Sequence, residues 1–143
     1  MESNQIETDL AGSAPRSLKP NRRRLLVVDD EPLLGQTLAI AYRGRHDVVV
    51  VDGGRAALEL LERDSEFELI LCDLMLPDVS GVAVYERLRD ERPDLLDRLY
   101  LTTGGAFTAP AHEFVEAHAD RCLEKPFTIE QVDALLEGAP PRR

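Results

Sequence analysis

Residues 69–81 read LILCDLMLPDVSG. A buried-looking run of Leu69, Ile70, Leu71 and Cys72 ends on an acid, Asp73, and a turn-forming Pro77 and Gly81 follow. An aspartate at the lip of an apolar strand is either a cap for the next turn or a reacting group. The choice depends on where the neighbouring strands end.

Working outward, four further runs have strand length: RLLVVDD (24–30), DVVVVDGG (47–54), RLYLTTGG (98–105) and RCLEKPF (121–127). Several are nearly continuous in Val, Ile or Leu, which suits a parallel sheet covered on both faces. Helical patterns separate them. The first carries Leu34, Leu38, Ala41 and Tyr42 on one stripe and stops at Gly44; the second carries Ala57, Leu60 and Leu61. The third starts at Ser80, aligns Val84, Tyr85 and Leu88, and ends before Pro93. Thr108 and Pro110 open the fourth, with Phe114 and Val115 on it. The fifth opens on a capping box, Thr128 with Gln131, carries Val132, Leu135 and Leu136, and ends at Gly138.

Five strand–helix units in alternation predict an α/β fold, (βα)5, with a doubly wound parallel five-stranded sheet and right-handed crossovers. Such sheets collect ligands beyond the carboxyl ends of their strands. Asp73 therefore stands on the edge where chemistry is expected.

The 143 residues suit one domain, and 43% apolar content is globular. Residues 1–22 lack apolar periodicity and are expected to be a disordered leader or linker, with the domain at 23–138 and a flexible tail at 139–143. The basic cluster Arg22, Arg23 and Arg24 reads as a solvated charge run. No apolar stretch approaches the ~20 residues that span a bilayer, and no signal core is apparent, so the expected location is cytoplasmic. Residues 25–141 hold 10 basic against 24 acidic residues. That balance repels a phosphate backbone and predicts no direct nucleic acid binding. Cys72 and Cys122 lie in apolar runs without metal-ligand spacing and read as buried reduced thiols.

The carboxyl edge gathers Asp29 and Asp30 after strand one, Asp73 after strand three, Thr102 and Thr103 after strand four, and Lys125 after strand five. Singly, each has a plain alternative: Asp30 as a cap for helix one, Thr103 as a turn hydroxyl, Lys125 as a solvated end. Jointly they describe a phosphoryl site. Clustered carboxylates call for a hard cation, and Mg²⁺ suits a site of few acids completed by water and phosphate. A lysine neutralises further negative charge, and a hydroxyl hydrogen-bonds to it. Asp29 and Asp30 look like the metal cradle, which leaves Asp73 as the nucleophile that forms an aspartyl phosphate.

VVDDE at 27–31, Asp73 with Pro77 and Gly81, TG at 103–104 and KPF at 125–127, in this order on five βα units, resemble the receiver domain of bacterial two-component response regulators. The resemblance implies a flavodoxin-like sheet of order 2-1-3-4-5. It implies Mg²⁺ held by Asp29, Asp30, Asp73 and the backbone carbonyl of Met75. It further implies that Asp73 accepts a phosphoryl group from a sensor histidine kinase or a histidine phosphotransfer protein, with Lys125 and Thr103 contacting the phosphoryl oxygens. On this reading the chain is a phosphoacceptor switch, not a turnover enzyme, and TGGAF is similar to receivers joined to hybrid sensor kinases.

Two positions depart from the family. Cys122 stands three residues before the lysine, where Tyr or Phe is usual, so Phe107 is the candidate for the missing ring. Met75 stands where a polar residue is sometimes found. Other readings are an interaction module without phosphorylation, a phosphatase of the haloacid dehalogenase type, and a flavin carrier. The phosphatase pattern needs a second acid two residues after the nucleophile, where Met75 stands. A flavin phosphate would meet the acidic DDEPLL loop at 29–34.

Overall fold

The computed structural model describes residues 22–105 and 108–139. The elements are β1 (Arg24–Val28), α1 (Pro32–Ala41), β2 (Asp47–Val51), α2 (Gly54–Arg63), β3 (Leu69–Asp73), α3 (Gly81–Glu91), β4 (Leu99–Thr103), α4 (Ala109–Ala117), β5 (Cys122–Glu124) and α5 (Ile129–Glu137). The strands are all parallel, in the order β2-β1-β3-β4-β5. This is the flavodoxin-like (βα)5 arrangement.

Strand alternation sends side chains to two separate cores. Leu26, Val28, Ile70, Cys72 and Leu101 face Leu60 and Leu61 of α2, Val84 and Leu88 of α3, and Phe114 of α4. Leu25, Val27, Leu69 and Leu71 face Leu38 and Tyr42 at α1 and Val132 and Leu136 of α5. The central strands β1 and β3 are buried throughout, which is why they are apolar at consecutive positions. Each fully buried Leu or Ile contributes about 1.5–3 kcal/mol from area removed from water.

Helix starts follow the capping residues. Ser80 Oγ accepts the N–H of Ala83 at 3.1 Å, Thr108 Oγ1 that of Ala111 at 3.3 Å, and Thr128 with Gln131 forms the reciprocal box. Past α1 the chain turns at Gly44, whose φ of 81° favours glycine. Pro93 ends α3 and also opens a 3-10 turn, Pro93–Arg98, that leads into β4.

Two expectations change. Arg24 is not solvated: it is fully buried at the start of β1, its guanidinium paired with both oxygens of Asp64 at 3.0 and 2.9 Å and lying 4.4 Å from the centre of the Phe67 ring. A buried guanidinium is tolerated because acid, ring face and the Glu66 carbonyl replace its water. Arg22 is hydrogen-bonded to Asp47 at 3.0 Å, and Arg23 donates to the Leu136 carbonyl, so these two are also engaged. Cys122 is half-buried at the edge of the first core. The leader up to residue 21, the tail from residue 140, and Phe107 lie outside the described residues.

Candidate functional site

The parallel register brings the strand ends to one rim. Asp29 follows β1, its N–H bonded to the Val51 carbonyl of β2 at 3.1 Å. Asp73 closes β3 and pairs in register with Thr102. The Lys125 N–H bonds the Thr103 carbonyl at 2.8 Å, carrying β5 alongside β4 one residue further, before a cis Lys125–Pro126 bond.

At this rim Asp29, Asp30 and Asp73 each offer a carboxylate oxygen, and these atoms lie within 4.8 Å of one another. The two adjacent acids differ in environment. Asp29 is 2% exposed, whereas Asp30 is exposed. Asp29 also accepts the N–H of Glu31 through Oδ1 at 2.8 Å, so the turn into α1 is held by Asp29. The alternative of Asp30 as the cap of helix one does not hold, because the residue at the N-cap is Glu31 and its side chain makes no capping bond.

Lys125 reaches between the acids. Its Nζ donates to Asp29 Oδ2 at 2.8 Å and to Asp73 Oδ2 at 3.3 Å. Burial alone would lower its pKa, but the hydrogen bond to Asp29 and the charges of Asp73 and Asp29 hold it above the usual lysine range. Burial pushes the Asp73 carboxyl upward, and the charge of Asp29 adds to this. The Met75 N–H, 3.1 Å from Asp73 Oδ1, and the Lys125 ammonium oppose it without cancelling it. An acid that resists ionisation beside two other acids is a site that gains from a cation.

Thr103 is buried at the end of β4, and its Oγ1 accepts the N–H of Gly105 at 3.3 Å, which ties the hydroxyl to the loop after β4. Met75 is exposed, with its N–H turned to Asp73. Every residue expected at the site is thus on the carboxyl rim. One participant was not anticipated: Asp78, which joins the loop after β3 to the start of α2. The adjacent Gly53 and Gly54 were the available signal of a close backbone approach.

Comparison with known proteins agrees with this architecture. The model of the response regulator receiver domain family matches residues 25–137, and the chain belongs to that family. It is 35% identical over 118 residues to the DNA-binding response regulator MtrA of Mycolicibacterium smegmatis, covering 82% of this chain and 50% of that protein. It is 38% identical over 120 residues to the DNA-binding dual master transcriptional regulator RpaA of Synechocystis, covering 80% and 48%. The chain spans about half the length of these curated relatives. Among solved structures, the signal receiver domain of a Luxo repressor protein from Vibrio parahaemolyticus matches with a TM-score of 0.64 and 28% identity, covering 81% of this chain and 91% of that one. The receiver domain of sensor histidine kinase PA1611 from Pseudomonas aeruginosa, whose structure has a magnesium ion coordinated in the active site cleft, shares the fold at TM-score 0.64 and 22% identity, covering 80% and 94%. Phosphoryl-transfer signalling is the general business of this family. Among the described residues, no helix is long and apolar enough to cross a membrane.

Proposed function

We propose that Asp73 is the phosphoacceptor of this receiver domain, taking a phosphoryl group from the phosphohistidine of a sensor kinase or phosphotransfer protein. The observation that carries the reading is the meeting of Asp29 and Asp30, Asp73, and Lys125 from the ends of three strands. Asp73 Oδ attacks phosphorus, the N–P bond breaks, and the electron pair leaves on the imidazole nitrogen, which takes a proton from solvent. The residues fit a hard divalent ion: three carboxylates offer oxygen atoms close enough to share one. Mg²⁺ bound by Asp29, Asp30, Asp73 and the Met75 carbonyl would offset charge on the incoming phosphoryl oxygens.

Lys125 neutralises the site before transfer by bridging Asp29 and Asp73. As negative charge arrives at Asp73, the ammonium, already 3.3 Å from Asp73 Oδ2, can follow it. Thr103, once free of the Gly105 amide, would offer its hydroxyl to a phosphoryl oxygen, and that movement would draw the loop after β4 and change the surface a partner reads.

Intact-mass measurement after treatment with acetyl phosphate tests the assignment. The expected result is one added phosphoryl mass that requires Mg²⁺, disappears in excess EDTA and is absent in Asp73→Asn. Labelling that persists in Asp73→Asn would place the acceptor elsewhere, and full labelling in EDTA would remove the metal from the reading.

A further inference from the structure

The loop after β3 is fastened at two ends by contacts that only glycine allows. A Cβ on Gly53 would lie 2.8 Å from Asp78 Oδ2, and one on Gly54 would lie 2.4 Å from the Val79 carbonyl oxygen. Through this close approach Asp78 Oδ1 accepts the N–H of Gly54 at 3.0 Å, and Oδ2 accepts that of Arg55 at 3.1 Å. The first amides of a helix have no partner within it, and the positive end of the helix dipole favours a carboxylate. The N-cap residue of α2, Gly53, has no side chain to supply one. Asp78 therefore caps α2 from another part of the chain. The backbone N–H groups of Val79, Arg55 and Gly54 keep its carboxyl below the usual aspartate range.

At the other end, the Leu74 N–H bonds the Thr102 carbonyl of β4 and the Gly81 N–H bonds the Leu74 carbonyl, both at 2.9 Å. A Cβ on Gly81 would come 2.5 Å from the carbonyl oxygen of Asp73 itself. Met75, whose N–H holds Asp73 Oδ1, sits between these two fastenings.

We propose that Asp78 is a positioning residue for the phosphoacceptor: by clamping the loop after β3 to the N-terminus of α2, it sets where Met75 presents its N–H and its carbonyl to Asp73. This rests on the reading of Asp73 as phosphoacceptor. Asp78 is not among the three clustered acids, so it acts through the backbone and not as a ligand.

The test compares Asp78→Ala, Asp78→Asn and, as a control for lost helix capping, Thr128→Ala in the full chain. In metal-free protein, hydrogen exchange at the Met75 amide should quicken roughly fivefold in Asp78→Ala, about the loss of one hydrogen bond. Asp78→Asn, with one acceptor oxygen, should fall between it and the unaltered protein. Thr128→Ala should lose comparable thermal stability and leave the Met75 amide unchanged. Titration with Mg²⁺ should show a Kd raised by a similar factor in Asp78→Ala, by a smaller one in Asp78→Asn, and unchanged in Thr128→Ala. If Asp78→Ala loses stability while Met75 exchange and the Mg²⁺ Kd stay as in the unaltered protein, Asp78 merely caps α2 and the proposal is overturned. If the unaltered protein binds no Mg²⁺, the metal part of the proposed function fails, and metal-free exchange still decides the role of Asp78; if Asp73→Asn still takes up the phosphoryl group, the phosphoacceptor reading fails. If Asp78→Ala does not fold, the same two readouts in Asp78→Asn decide it.

Discussion

Lys125 and Asp29, separated by 96 residues, meet at 2.8 Å across the width of the sheet, the lysine following β5 and the aspartate following β1. Asp73 lies between their strands and shares the same ammonium at 3.3 Å. Removing the lysine leaves two buried acids facing each other. Lys125→Ala should therefore lose about 1–2 kcal/mol in metal-free urea unfolding, less than for a fully buried pair because a quarter of the lysine side chain is open to water. The sign follows from its raised pKa: the contribution is fully present below the unfolded lysine value and is lost as pH rises through the folded one. The deficit of the variant should be present at pH 7 and should shrink in strongly alkaline buffer.

Asp73 has the opposite consequence at neutral pH. Its folded pKa is raised, so its contribution is full below the unfolded aspartate value and is lost as pH rises through the folded value. The ionised acid thus costs stability at pH 7. Asp73→Asn should melt higher than the unaltered protein in EDTA, by about 4 °C for each kcal/mol relieved in a domain of this size. On the proposed metal site, adding Mg²⁺ should narrow the difference, since an ion held in part by Asp73 would stabilise the unaltered protein more. A calorimetric scan in which Asp73→Asn melts lower in EDTA would show that Lys125 already compensates the acid.

At the opposite edge of the sheet, Arg24 and Asp64 form a pair with almost no solvent exposure. Truncating either partner removes the opposite charge from a group held almost entirely away from water. Arg24→Ala and Asp64→Ala should each cost about 3–5 kcal/mol. Because the pair lies at the amino end of β1, far from the carboxyl rim, the folded fraction of each variant should still take up phosphate. Chemical denaturation paired with intact mass separates the two effects.

His46 should give the fold an acid-sensitive seam. Its Nδ1 accepts the N–H of Arg23 at 3.0 Å, which requires a neutral ring nitrogen there. Burial and the charges of Arg45 and Arg23 hold its pKa below the usual value. The neutral ring contributes fully above the unfolded value of about 6.5, and that contribution is lost as pH falls toward the folded value. The difference in urea midpoint between the unaltered protein and His46→Phe should shrink from pH 7.5 to pH 5.5. A constant difference across that range would remove His46 from the pH response.

Much of this molecule was legible in local sequence. The apolar runs of β1 and β3 are continuous because both faces of those strands are covered, and Ser80, Thr108 and Thr128 mark helix starts through bonds made within three residues. Strand ends rich in Asp, Thr and Lys pointed to the carboxyl rim because parallel topology gathers every such end on one side. What only the tertiary structure decided is which groups meet across strands. Asp29 and Asp30 are equivalent in sequence, yet one is buried against Lys125 and the other is exposed at the outer side of the same carboxylate cluster. Arg24 stands in a basic run that reads as solvated, and its burial depends on Asp64 and Phe67, which lie 40 and 43 residues away at the same edge. Asp78 was not anticipated at the rim, and its bonds to α2 exist because Gly53 and Gly54 let two loops of the rim close on each other. Periodicity records which face of an element is covered; the partner of a charged side chain is set by strand order and register.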